Sequence, residues 1–210
     1  MIIKFDDYKS VLCLHGDLPD HEFLRRMQLP IIAADGAANS LAIKGIVPDM
    51  IVGDLDSVRP DLLIDGKFME VNDQNSSDFE KALNYLSNNN LLPTIILGIN
   101  GGYMDHILNN INIFVQTNSI FFGKDIVGLV LNGHHTFNLA IGTKLSVFGI
   151  PRCCITTNGL KWNLNMAELT FPGFNSCFNR TASENISIDM INGIALLIVY
   201  TSTIVDAGLL

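Results

Sequence analysis

Polar and apolar positions alternate in blocks through the first half of the chain. Short apolar runs at Ser10 to His15, Ile31 to Ala34, Met50 to Val52, Lys67 to Val71, Thr94 to Leu97 and Ile126 to Leu131 read as strands. Helical patterns separate them. Asp20 caps a polar helix reaching Gln28, and Ala37 to Lys44 has the small, straight-chain composition of a helix that stops at Gly45. A short helix begins near Pro60. Phe79, Ala82, Leu83 and Leu86 then share one helical face behind a Ser77/Glu80 capping box, and Ile107, Leu108, Ile111 and Val115 form a stripe within Asp105 to Gln116. Short strands alternating with helices predict an α/β domain with a parallel sheet covered on both faces. In such a sheet ligands collect at the carboxyl ends of the strands.

The texture changes after about residue 125. Short alternating segments at Lys144 to Ile150, Cys154 to Thr157, Ser187 to Met190 and Ala195 to Tyr200 are punctuated by Gly, Asn and Pro, and predict a smaller all-β sandwich domain. The boundary is expected between Gly123 and Thr136, giving domains 1–128 and 129–210. Adjacent His134 and His135 fall at that boundary and read as a turn.

Composition narrows the function classes. The 210 residues are 48% hydrophobic, enough for a sizeable core, and the formal net charge is -8. That balance argues against a nucleic-acid groove or an anionic membrane surface and favours a small ligand. There is no N-terminal leader pattern, and runs such as Ile194 to Tyr200 are too short to span a bilayer, so the expected location is cytoplasmic. The cysteines, Cys13, Cys153, Cys154 and Cys177, lack CxxC spacing and read as reduced thiols, mostly core fillers.

The chemistry concentrates in PDMIVGDLDSV, residues 48 to 58. If the backbone there is extended, Asp54 and Asp56, two apart, point the same way and can converge on one hard cation such as Mg²⁺. Asp35, Asp78 and Asp105 also fall near predicted strand ends. So many carboxylates at one rim repel each other unless a divalent cation and a phosphate ligand neutralise them, which points to metal plus nucleotide.

The motifs ADGAAN (34–39), PDMIVGDLDS (48–57), DQNSSDFEKAL (73–83), GGYMDHILNN (101–110) and TTNGLKWNL (156–164) stand in the order of a known family. With them the chain resembles thiamin pyrophosphokinase. The resemblance implies a Rossmann-like α/β nucleotide domain followed by a β-sandwich, in a homodimer holding thiamin between subunits. It implies transfer of a pyrophosphoryl group from ATP to the thiamin hydroxyl, releasing AMP. Asp54, Asp56 and Asp78 would hold Mg²⁺ against the triphosphate, with Asp35 or Asp105 orienting nucleotide or substrate and one carboxylate taking the hydroxyl proton. Gln74 is a candidate polar contact to ATP or thiamin. Asn100, Gly101 and Gly102 present backbone amides suited to phosphate oxygens. Trp162 would stack on the cationic heterocycle, and Ser176 and Asn179 match the loop lining the thiamin pocket.

Two positions depart from the family pattern. Tyr103 stands where the family usually has Arg, which removes a guanidinium from the phosphates and leaves Lys81, Lys124 and Arg59 as candidate replacements. Phe178 stands where the loop commonly carries a second serine. Two competing readings are a pyrophosphokinase for another heterocyclic alcohol, such as a hydroxymethyl pterin, and a non-catalytic thiamin- or nucleotide-binding sensor.

Overall fold

Residues 5–64 and 66–200 are described by a computed structural model of the chain; residues 1–4, 65 and 201–210, including both ends of the predicted domains, lie outside it. The described chain divides into two compact units, 5–124 and 125–200.

In the first unit the apolar runs become strands because both of their faces are covered, except at Phe68–Glu70, which is exposed at the sheet edge. Its elements in chain order are β1 (Ser10–Cys13), α1 (His21–Arg26), β2 (Ile31–Ala34), α2 (Ala37–Ile43), β3 (Met50–Gly53), α3 (Pro60–Ile64), β4 (Phe68–Glu70), α4 (Asp78–Asn88), β5 (Thr94–Leu97), α5 (Met104–Phe114) and β6 (Ile120–Phe122). The strands are parallel in the order β6-β5-β1-β2-β3-β4. Leu12, Ile32, Ile51, Ile96, Phe114 and Phe121 are fully buried about this sheet. Asp20 accepts from Phe23 N at 2.8 Å as the α1 cap, and the Ser77/Glu80 capping box opens α4.

Two expectations need correction here. The strand that follows α5 in the parallel sheet is Ile120–Phe122, which the sequence reading passed over. Ile126–Leu131 instead pairs antiparallel in the second unit, from Ala195↔Leu131 to Tyr200↔Ile126. An apolar run carries no mark of its pairing direction, and only the few residues after α5 favour the earlier segment. The α5 stripe is buried only in its second half. Leu108 and Met104 are exposed, while His106, Asn109 and Asn110 face a cleft.

The second unit contains β7 (Ile126–Leu131), β8 (His134–Asn138), β9 (Lys144–Asn158), β10 (Ala167–Thr170), β11 (Ser176–Arg180) and β12 (Asn185–Tyr200), all paired antiparallel. The separate segments expected on either side of Pro151 and of Gly193 are each one long, bent strand. Register shifts at Met190/Asn192 and Gly193/Ala195 let β12 bend where Gly193, at φ +78°, lies against the Arg152 carbonyl. Each long strand thereby serves different neighbours along its length: β11 pairs with β9 at 144–147 and β10 pairs with it at 152–155. His134 and His135 belong to strand β8 rather than to a turn, with His134 against Asp189 of the facing strand. Leu145, Val147, Ile155, Leu169, Ile188 and Leu197 centre the core. Cys13 and Cys153 are buried as expected, whereas Cys177 is exposed. Among the described residues no helix is long and apolar enough to cross a membrane.

The α4 cap is testable. Ser77→Ala should lower stability by about 1 kcal/mol, the usual cost of a lost N-cap, read as a reduced urea midpoint at unchanged m-value.

Candidate functional site

Strand order reverses between β1 and β5, and at such a switch point the strand-end loops part to form a ligand crevice. Here the two loops interlock at their bases. Leu14 N donates to Leu97 O at 2.8 Å and Asp17 N to Asn100 O at 2.7 Å. A methyl group built on Gly16 would lie 2.1 Å from Asn100 O, and one on Gly98 2.3 Å from Leu14 O, so both loops depend on glycine for their approach. Above them opens a cleft of about 420 Å³ walled by Leu14, His15, Asp35, Gly36, Asp78, Gly101, Gly102 and Tyr103. A backbone interlock of this kind leaves only isolated glycines as its trace in the sequence.

The carboxylate rim is built on the next strands. Asp54 and Asp56 converge, though not by the extended geometry expected: Leu55 is left-handed at φ +66°, and the Asp56 amide turns back to Asp54 Oδ1 at 3.4 Å. The turn is clamped from α2, where Asn39 Nδ2 donates to Ser57 O at 2.7 Å and Asn39 Oδ1 accepts from Arg59 N at 2.9 Å. Asn39 lies within ADGAAN, yet only the fold shows this task. Asp35, Asp54 and Asp56 can each offer an oxygen within 4.8 Å of the others, close to the spread of oxygens around one hard cation. Asp35 Oδ1 is buried without a hydrogen-bond partner, an orphaned acceptor that such a cation would satisfy.

Asp78 reaches the same cleft but is engaged elsewhere. Lys81 Nζ, on a side chain only 3% exposed, donates to Asp78 Oδ1 at 2.9 Å and Asp54 Oδ2 at 3.5 Å. Burial pulls the Lys81 pKa down, but the two carboxylates outweigh it and hold the ammonium above the usual lysine value. For Asp54, desolvation pushes the carboxyl up, while the Asp56 amide, the Lys81 charge and a Gln74 hydrogen bond bring it below the ordinary value. Asp35 moves the other way. Burial raises it, the Asp78 and Asp54 charges raise it further, and the Gly36 amide opposes them.

The remaining candidates divide. Gly101, Gly102 and Tyr103 line the cleft, with Tyr103 exposed at the start of α5; Asn100 contributes its carbonyl to the loop interlock and buries an unpartnered side-chain oxygen. Asp105, exposed in the first turn of α5, accepts from His106 N at 3.0 Å and does not line the cleft. Of the candidate replacements for the missing arginine, Lys81 is held as described and Arg59 is paired with Asp61 at 2.7 Å. Neither they nor Lys124 line the cleft.

In the second unit, Trp162, Ser176 and Asn179 come together through Asn179. That side chain is buried, accepts from Trp162 N at 3.2 Å, and donates to Trp162 O at 2.7 Å and Ser176 Oγ at 3.2 Å. Asn179 thus holds the loop that presents Trp162, whose indole is half exposed with Lys161 Nζ 4.7 Å from its centroid. Phe178, left-handed at φ +52°, stacks on Tyr200 at 4.9 Å, so its ring has an apolar partner where a serine would have none.

An acidic rim over a glycine-walled switch-point cleft, joined in one chain to an antiparallel unit with a presented tryptophan, defines a two-unit mixed α/β protein with a candidate ligand site at the ends of its parallel strands. Family models make the assignment specific: thiamin pyrophosphokinase, catalytic domain, matches residues 22–122, and thiamin pyrophosphokinase, vitamin B1 binding domain, matches 134–195. The chain belongs to the thiamin pyrophosphokinase family. Among relatives, thiamine pyrophosphokinase 3 of rice (Oryza sativa subsp. japonica) is 30% identical over 66% of this chain, and the chain spans only 60% of that protein's length. Thiamine pyrophosphokinase 1 of Arabidopsis thaliana is 28% identical over 75% of this chain and 73% of its own. The crystal structure of yeast thiamin pyrophosphokinase superposes with a TM-score of 0.79 over 93% of this chain and 87% of the yeast chain, at 19% identity, a likeness of fold.

The raised Asp35 carboxyl sets a signed pH effect. A folded pKa above the unfolded 3.8 means that folded protein binds the proton more tightly, so stability falls as pH rises past 3.8 through the folded value. Asp35→Asn removes that cost, and asparagine tolerates the left-handed backbone at this position, φ +44°. In EDTA the variant should show a higher urea midpoint than the parent at pH 7, with the difference closing toward pH 3.8.

Proposed function

We propose that this chain is a thiamin pyrophosphokinase in activity as well as family, transferring the pyrophosphoryl group of ATP to the hydroxyl of thiamin to give thiamin diphosphate and AMP. The observation that carries the reading is the convergence of Asp35, Asp54 and Asp56, with the orphaned Asp35 oxygen, at the mouth of the switch-point cleft. The finer architecture in this reading is a Rossmann-like nucleotide domain followed by a β-sandwich that binds thiamin, working in the cytoplasm. The exposed aromatics Phe171, Phe174 and Phe178 support a homodimer whose subunits share the thiamin site.

Asp54 and Asp56, with Asp35 and Asp78 beside them, would hold Mg²⁺. When bound, the ion supplies charge neutralisation on the triphosphate and polarises the phosphoryl group under attack. The thiamin oxygen forms its bond to the β-phosphorus, the bond between that phosphorus and the α,β-bridging oxygen breaks, and AMP leaves. The chain's residues orient this displacement. Lys81 fixes Asp54 and Asp78 in place, and the backbone at Gly101 and Gly102, on the cleft wall, would meet the phosphates. One carboxylate of the rim accepts the proton that the alcohol loses. Gln74 steadies Asp54, Asp105 remains the candidate for the substrate end, and Trp162 offers its ring face to the thiamin cation.

Incubation with ATP, Mg²⁺ and thiamin should yield AMP and thiamin diphosphate in equal amounts. ADP with thiamin monophosphate, a pterin product in preference, or thiamin binding without AMP would each overturn the reading. Asp54→Asn and Asp56→Asn should each lower turnover by about 100-fold or more at near-parental melting temperature, since both carboxylates add repulsion to the metal-free fold.

A further inference from the structure

The cleft presents a problem of charge. A triphosphate entering it meets Asp35 and Asp78 on its walls, and among the described residues lining it there is no lysine or arginine. Tyr103, at the start of α5, also lines the cleft. A phenol offers one donor and no positive charge.

The geometry points to His15 as the side chain that takes over contact with the nucleotide phosphates in this chain. This rests on the nucleotide reading of the cleft above and assigns a residue to it. His15 follows directly from β1 at the switch point and lines the cleft. Among the described residues its ring makes no hydrogen bond or ion pair. The turn that carries it is rigid: Gly16 N donates back to Leu14 O at 2.9 Å, and the flanking amides of Leu14 and Asp17 are tied to the β5 loop.

The ring lies beside Gly36: a methyl group built there would come within 3.3 Å of His15 Nδ1 and 3.5 Å of Cε1, a tight fit. His15 is exposed on the cleft wall, open to a ligand that enters it. Neutral imidazole can present one N–H to a phosphate oxygen and imidazolium two.

His106, the other imidazole on the cleft wall, is also exposed, but it stands on α5 with its ring edge-on to Tyr103 at 5.8 Å, whereas His15 sits in a turn whose flanking amides are tied to the β5 loop.

The test separates packing from donation. His15→Phe retains a flat ring against Gly36 without a donor, and His15→Gln retains a donor without the ring. Titration calorimetry of the full chain with ATP and Mg²⁺, thiamin absent, should show about a tenfold loss of affinity for His15→Phe and less than about threefold for His15→Gln, at parental melting temperatures. With thiamin saturating, KM for ATP should rise in parallel for His15→Phe, with kcat and KM for thiamin within about threefold. Unchanged nucleotide affinity in His15→Phe, or an equal loss in both variants, would overturn the assignment, as would a tenfold loss confined to His106→Phe. The binding arm does not depend on turnover: failure of the functional reading would appear as ATP binding without AMP release in the parent chain, and failure of this one as nucleotide affinity that ignores His15.

Discussion

Carboxylates crowded at one edge of a sheet repel one another, and the first unit is arranged around that repulsion. Asp35, Asp54, Asp56 and Asp78 stand at the ends of neighbouring elements, and the only ammonium paired with any of them among the described residues is Lys81. Lys81 is buried and meets two of the four. The field across the rim is therefore uneven: Asp54 is held ionised by its neighbours while Asp35, further from the ammonium and more desolvated, is driven toward its protonated form.

The rim needs a support that does not yield to this repulsion, and the structure supplies it through backbone and amide contacts. Asn39 ties the GDLDS turn to α2, Leu55 accepts a left-handed conformation so that both carboxylates turn to one side, and the interlocked loops at Gly16 and Gly98 close the floor beneath. Gly53 adds a further constraint, since a methyl group there would lie 2.7 Å from Asp35 Cβ. The glycine before the two aspartates thus admits the third. In the second unit Asn179 plays the comparable part, using both ends of its amide to hold the Trp162 loop.

Most strands and helices of the first unit could be read from the sequence because each follows from local rules: a double-sided apolar run, a capping serine, a glycine stop. What could not be read depends on contacts distant in sequence. Ile120–Phe122 is too short to stand out by pattern, and Ile126–Leu131 looks the same whether it pairs parallel or antiparallel. The long bent strands β9 and β12 were divided at Pro151 and Gly193 because those residues usually end strands, whereas here they sit at bends. At the site, the acidic residues were legible as a set, but their partition was not. Nothing local to SDFEK reveals that Lys81 spans from its own helix to Asp54, or that Asp35, and not only Asp78, lies close enough to share a cation with the GDLDS pair.

Tyr103 at the cleft, where the resemblance leads one to expect an arginine, bears on how tolerant such a site is. Recognition of phosphate by a guanidinium is one solution among several, since backbone amides, an imidazole and a metal held by the rim all supply positive potential to the same oxygens. The cleft is walled by glycines with a histidine beside Gly36, and the carboxylates that could hold a metal stand at the ends of strands whose positions are set by the sheet. Tyr103 lies at the exposed start of α5, where the helix is least packed. A contact there can change without disturbing the core, whereas a side chain at Gly16 or Gly53 would force backbone and side chains apart. Variation is therefore expected at the α5 edge of the cleft and constraint at its β1–β3 edge.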